Sequence, residues 1–176
     1  KGLQTKEDSL RCLGQLKQLY DKYPDDADVF SQLAQWYSNL GYADKQQELI
    51  SERLKSDPNN FTAWAMKGQF EMNAQKYDDA ILSFKKAMTC ETSDTAQKAL
   101  VDTFIGYCYT QKSTQLEKYE DQLKELKEAI PYLEEARSID PNRERSNWAY
   151  PLYNCYYYVL GEKDAKTIEL KKLLGL

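Results

Sequence analysis

The stretch SDPNNFTAW, residues 56–64, sets an aspartate, a proline and two asparagines close before an aromatic residue. Nearly the same wording occurs in YPDDADVF, residues 23–30, and in IDPNRERSNW, residues 139–148. Proline cannot continue a helix, and Asp or Asn accepts hydrogen bonds from the free N–H groups that open one. Each stretch therefore predicts the end of one helix and the capped start of the next. From Pro24 to Pro58 is 34 residues, and from Phe30 to Trp64 is again 34. A fixed period of that size predicts a solenoid of stacked helical hairpins. Within one period, residues 61–88 carry two apolar stripes at helical spacing, separated by NAQKYDD, which reads as a turn.

These residues resemble the tetratricopeptide repeat (TPR) family, and bacterial TPR proteins among it. That family places an aromatic at the fourth position of the repeat, a small residue at the eighth and alanine at the twentieth. A large apolar residue at the twenty-fourth, alanine at the twenty-seventh and proline at the thirty-second complete the pattern. In residues 61–94 these places hold Trp64, Gly68, Ala80, Phe84 and Ala87, with Thr92 where proline is expected. In residues 27–60 they hold Phe30, Ala34, Ile50 and Pro58, but Gln46 and Arg53 replace the alanines. The second helix of that repeat is expected to pack more loosely.

A third repeat, residues 95–143, fits Ile105, Gly106, Tyr109, Ala129, Leu133, Ala136 and Pro141 once four residues are inserted before its first helix and eleven between its helices. A fourth, residues 144–176, keeps Tyr150, Tyr153 and Tyr157, with LGEKDA as its turn. Residues 1–26 read as the second helix of an incomplete repeat. The resemblance implies a single all-α domain, a right-handed α-solenoid of antiparallel helix hairpins with about nine helices. The chain opens at Lys1 without a methionine, so it is expected to be part of a longer protein.

Composition narrows the function. With 176 residues, 41% of them hydrophobic and 30% charged, the chain can bury a sizeable core and is not disordered by composition. No apolar run approaches the roughly 18 residues of a membrane span. A net charge of −4 with interleaved signs leaves no basic stripe for nucleic acid. Histidine, the commonest general base and metal ligand, is absent. Cys12, Cys90, Cys108 and Cys155 are far apart, make no CxxC pair and fall in expected helices, so buried free thiols are expected. Free thiols favour a reducing compartment such as the cytoplasm. A bacterial periplasmic location stays open, since the resemblance includes exported proteins.

No Gly-rich phosphate loop is present. Asp78–Asp79 and Glu134–Glu135 are adjacent on expected helix surface, whereas a hydrolase needs carboxylates facing each other across a cleft. No catalytic residue, cofactor or metal site is therefore expected, and the chain reads as a non-enzyme. Most of the 14 tyrosines read as inter-helix packing.

By the family's pattern, the concave groove is lined by outward places of each first helix. Here these carry Asp28, Ser31, Gln35, Thr62, Ala65, Gln69, Thr103, Tyr107, Trp148 and Tyr158. The resemblance implies a protein or peptide ligand there. Gln35 and Gln69 are expected to hydrogen-bond its backbone, and Tyr107 and Trp148 to supply apolar contact. No Lys, Arg or Asn stands at the matching places, which disfavours the C-terminal tails of chaperones. The competing reading is an assembly module that stacks on other repeats or on another copy.

The third repeat carries one further expectation. In STQLEKYEDQLKELKEAIPYLEEA, residues 113–136, Thr114 and Glu117 have capping-box spacing. Leu116, Tyr119, Leu123, Leu126, Ile130 and Leu133 then follow at heptad spacing. The preceding helix is expected to end near Lys112, leaving Leu116, Tyr119 and Leu123 on a projecting arm, kinked at Pro131, that either covers a neighbouring repeat or docks a partner.

Overall fold

The computed structural model describes residues 6–92 and 94–176, so the first five residues of the expected incomplete repeat lie outside the described residues. Nine α-helices and no strand occur among them: α1 (Lys6–Lys22), α2 (Ala27–Asn39), α3 (Ala43–Ser56), α4 (Phe61–Asn73), α5 (Tyr77–Met88), α6 (Thr95–Thr114), α7 (Tyr119–Ile139), α8 (Ala149–Val159) and α9 (Ala165–Leu174). The chain is an all-α solenoid of the TPR kind.

The punctuation works largely as the sequence predicts. Asp26 Oδ1 accepts from the amides of Asp28 and Val29, both at 2.9 Å, to cap α2. Asn60 Oδ1 accepts from Ala63 N at 2.9 Å to cap α4. The aromatic that follows is tied back to the turn: Trp64 Nε1 donates to Pro58 O at 2.8 Å. The third stretch departs from the rule. Asp140 does not cap α8; its carboxylate accepts from the amides of Glu144, Arg145 and Ser146 and from Ser146 Oγ, closing the loop on itself. Those four donors hold the carboxyl well below the usual carboxylate range.

Each helix packs against its neighbours in sequence, and the even helices also touch one another, α2 on α4, α4 on α6 and α6 on α8. No two odd-numbered helices come into backbone contact among the described residues. The even helices therefore lie on the tighter, inner side of the stack. Close approach within a hairpin is set by missing side chains. A Cβ on Gly68 would lie 2.6 Å from Cδ1 of the buried Phe84, and one on Gly106 would sit inside the side chain of Leu133. Gly106→Ala is therefore expected to destabilise by about 1–3 kcal/mol through overpacking. Gly14→Ala on α1 meets nothing within 4 Å and is expected to stabilise by up to about 1 kcal/mol. Urea melts of the two variants check this; equal shifts would mean that the α6–α7 approach is looser than described.

As expected, α3 packs more loosely on α2 than α5 does on α4 or α7 on α6. Arg53 is nevertheless buried, donates from Nη2 to Pro24 O and lies 4.8 Å from the Phe30 ring centroid. A planar cation stacked on an aromatic face replaces the expected alanine contact. The insertion of the third hairpin forms no separate arm. It lengthens both helices: α4 ends five residues after Gly68 but α6 eight after Gly106, and α5 begins three before Ala80 but α7 ten before Ala129. Thr114 is the last residue of α6, its Oγ1 donates to Gln111 O, and the N-cap of α7 is Lys118. The capping box is not formed, and α7 runs unbroken through Pro131.

Candidate binding trough

The helical period aims one stripe of α6 and one of α8 at each other. On α6 the stripe is Leu100, Thr103, Phe104, Tyr107, Gln111 and Thr114; on α8 it is Tyr150, Pro151, Asn154 and Tyr158. Between them run two clefts that share Tyr150. The larger, about 660 Å³, is closed at its far end by the α4–α5 turn with Asn73, Gln75 and Tyr77, and Arg145 and Asn147 stand at its rim. The smaller, about 340 Å³, ends against Tyr119 and Gln122 at the start of α7.

No residue lining either cleft is Asp or Glu, although the chain holds 28 of them. The hydroxyls of Tyr77, Tyr107, Tyr150 and Tyr158 donate no hydrogen bond to a described residue, which leaves them for a ligand or water. Burial and the neighbouring Tyr107 phenol raise the pKa of Tyr77. Tyr77 is therefore a neutral donor at physiological pH. The arrangement offers aromatic faces and neutral hydrogen-bonding groups, with one cation at one end.

The candidate residues separate on this geometry. Tyr107 is exposed and lines the larger cleft. Gln35 is exposed on α2, outside both clefts, and its Nε2 donates to Asn39 Oδ1 at 2.9 Å. Gln69 is half-buried on α4 and makes no side-chain hydrogen bond to a described residue. Trp148 is a correction. It is 1% exposed, its Nε1 donates to Asp140 O at 2.7 Å, and a ligand cannot reach it without opening the core. Leu116 and Leu123 are half-buried, whereas Tyr119 is 57% exposed and leans its hydroxyl on Tyr158 O at 3.4 Å, the end of α8.

Tyr150, Asn154, Phe104 and the α4–α5 turn are the contributions that groove reasoning from single first helices missed. The signal for Tyr150 was present in the run of α8 tyrosines. The reading of tyrosines as packing holds for buried ones such as Tyr37, Tyr109 and Tyr156 but not for six of the fourteen, which are exposed. Four of those six, Tyr107, Tyr119, Tyr150 and Tyr158, line the trough.

Other reactive groups are spoken for. Burial pushes the thiols of Cys108 and Cys155 up to about 12, which suppresses the nucleophilic thiolate. Cys90 lies just past α5, not within a helix as expected, with its Sγ 3.3 Å from Lys86 O. All four cysteines are free. Glu134 is not a bare surface carboxylate: it accepts the Tyr156 hydroxyl and lies 3.7 Å from Lys166 Nζ. Among the described residues no group of three or more Cys, Asp or Glu is placed to hold a metal ion. None of their helices is long and apolar enough to cross a membrane.

Comparison with known proteins agrees with the fold. A family profile of the tetratricopeptide repeat matches residues 119–143, which are α7 and the turn after it. No curated protein matches in sequence. Among solved structures, MamA aligns over 97% of this chain and 86% of its own, with a TM-score of 0.66 and 16% identity. MamA 41-end from Desulfovibrio magneticus RS-1 aligns over 96% of this chain and 86% of its own, with a TM-score of 0.65 and 19% identity. The human IFIT1 dimer with PPP-AAAA gives a TM-score of 0.71 at 24% identity, covering 98% of this chain but only 38% of that one. The chain resembles TPR proteins, bacterial ones included, and has their fold.

Proposed function

We propose that this chain is a non-catalytic interaction scaffold that holds an extended peptide or protein segment in the trough between α6 and α8. The observation that carries the reading is the inner-face trough itself: aromatic, without carboxylates, and lined by the Tyr77, Tyr107, Tyr150 and Tyr158 hydroxyls, which donate to no described residue. Solenoids of this kind offer a continuous concave surface built from successive repeats. The repeats are divided at residues 27–60, 61–94, 95–143 and 144–176, preceded by an incomplete unit. Gln69, on α4 outside the two clefts, would hydrogen-bond ligand backbone only where the segment continues past the trough onto α4; Gln35 must first release Asn39. Chaperone tails stay disfavoured, because the first-helix groove places carry no Lys or Arg.

Peptide-library selection on the wild-type chain, repeated on Tyr107→Ala and Gln69→Ala, tests this. Hits are expected to weaken about tenfold or more on Tyr107→Ala, equivalent to about 1.4 kcal/mol. Hits that persist undiminished on both variants would move the site away from the trough.

Exposed apolar side chains favour a second reading. Leu10 and Leu19 on α1, and Ile168 and Leu173 on α9, are each about 40% exposed on the terminal helices. Stacking on further repeats or on another copy would cover them. Sedimentation across a concentration series decides it: a strictly monomeric chain rules out self-stacking.

A further inference from the structure

Resting on the trough reading, we infer that the occupant is an extended, proline-rich segment carrying an acidic side chain at one end. Charge complementarity points to the acidic end. Among the residues that line the two clefts the sole charged side chain is Arg145, 67% exposed at the rim of the larger one. Its ion pair, with Asp94, is 3.9 Å long and partly exposed, and such pairs are worth little. Asp94 already spends its Oδ1 on capping α6. Arg145 can therefore turn to a carboxylate brought by the ligand, and Asn147 and Asn73 beside it supply neutral donors. A basic segment would find no carboxylate in either cleft.

The form of the lining points to proline. Tyr77, Phe104, Tyr107, Tyr150, Tyr158 and Tyr119 follow one another along the trough, and aromatic ridges of this kind receive the rings of a polyproline II helix. Such a segment presents backbone carbonyls that no internal hydrogen bond satisfies, and lacks N–H groups at each proline. The trough matches that inventory with phenol hydroxyls and amides that donate, and without the carboxylates an N–H-rich strand would seek. The segment is also extended before binding, so less ordering entropy opposes it. Leu100 to Thr114 spans about 21 Å of helix, which corresponds to about seven residues of polyproline II.

Fluorescence anisotropy on the whole chain, with labelled synthetic peptides as probes, tests the assignment. The probes are seven prolines with one Glu, placed at either end, the same peptides with Lys for Glu, and Glu peptides in which alternating Ala and Val replace every proline. The acid–proline probe is expected to bind in one orientation. Binding should weaken at least tenfold on Tyr150→Ala and at least fivefold when Glu becomes Lys. Arg145→Glu should reverse the Glu-over-Lys preference. All three substituted side chains, Tyr150, Tyr107 and Arg145, are exposed, so circular dichroism should show the fold intact. If the Ala–Val probes bind as tightly and still depend on Tyr107, the trough reading stands and the proline assignment is wrong. If the proline probes bind but ignore Arg145→Glu, the acidic end is wrong. If no probe binds, or binding survives both tyrosine variants, the occupant and the trough reading fall together.

Discussion

Trp148→Ala is expected to remove about 3–5 kcal/mol of stability. The indole is 1% exposed and belongs to the core cluster that joins α4 through α9. It also does polar work: Nε1 donates to Asp140 O at 2.7 Å, and the Arg137 guanidinium lies 5.6 Å from its ring centroid. Alanine leaves a cavity too deep to refill and removes one of the two hydrogen bonds that the Asp140 carbonyl accepts, the other coming from Arg143 N. For a chain of this length the thermal midpoint should fall on the order of 10 °C. Trp148→Phe separates the two contributions, keeping most of the buried area while losing the hydrogen bond, and should cost about 1 kcal/mol from that bond together with the smaller ring. A Trp148→Ala chain that melts like the wild type would mean that the indole is not in the core, and would return it to the list of ligand contacts.

Asp102→Asn is expected to stabilise the chain at pH 8 and to do little at pH 4. Asp102 is 2% exposed on α6, its Oδ2 has no hydrogen-bond partner, and no cation pairs with it among the described residues. Burial, reinforced by the negative charge of Glu135 on α7, raises its pKa to about 7. The folded state therefore binds a proton that the unfolded chain releases near its ordinary value of 3.8. The sign follows: the protonated carboxyl is tolerated below about pH 4, and stability drains away as pH rises from there to about 7. Asparagine stays neutral and keeps the shape, so the difference between the two chains should reach on the order of 3 kcal/mol at pH 8. Asp140 acts in a separate window, since its depressed pKa adds stability that is lost only as pH falls through the acid range. Denaturant midpoints measured from pH 4 to 8 check the prediction; parallel curves for Asp102→Asn and wild type would refute it.

Much of the architecture is written locally. A cap such as Asp26 or Asn60, a proline such as Pro58, and the Gly68–Phe84 contact each act over less than one 34-residue period, so short-range chemistry suffices to read them. The helical hairpins and their stacking followed from that. The third hairpin was less legible, because a heptad stripe over residues 116–133 does not say how eleven extra residues divide between two antiparallel helices. The turn at residues 115–118 settled that division, three-dimensional packing of α6 against α7 having set where each helix ends.

The sequence by itself thus determined the helices, their order and the glycines where they meet, since each of these depends on residues near one another in the chain. Only the tertiary structure decided which aromatics face solvent. Trp148 and Tyr150 are two residues apart, yet one is 1% and the other 53% exposed. The difference arises from where α7 and α6 press on α8, and that is fixed by packing across repeats and not by any local pattern. The trough has the same origin. It exists only where α6 and α8, whose Tyr107 and Tyr150 are 43 residues apart in sequence, lie side by side and turn their tyrosines toward the same gap.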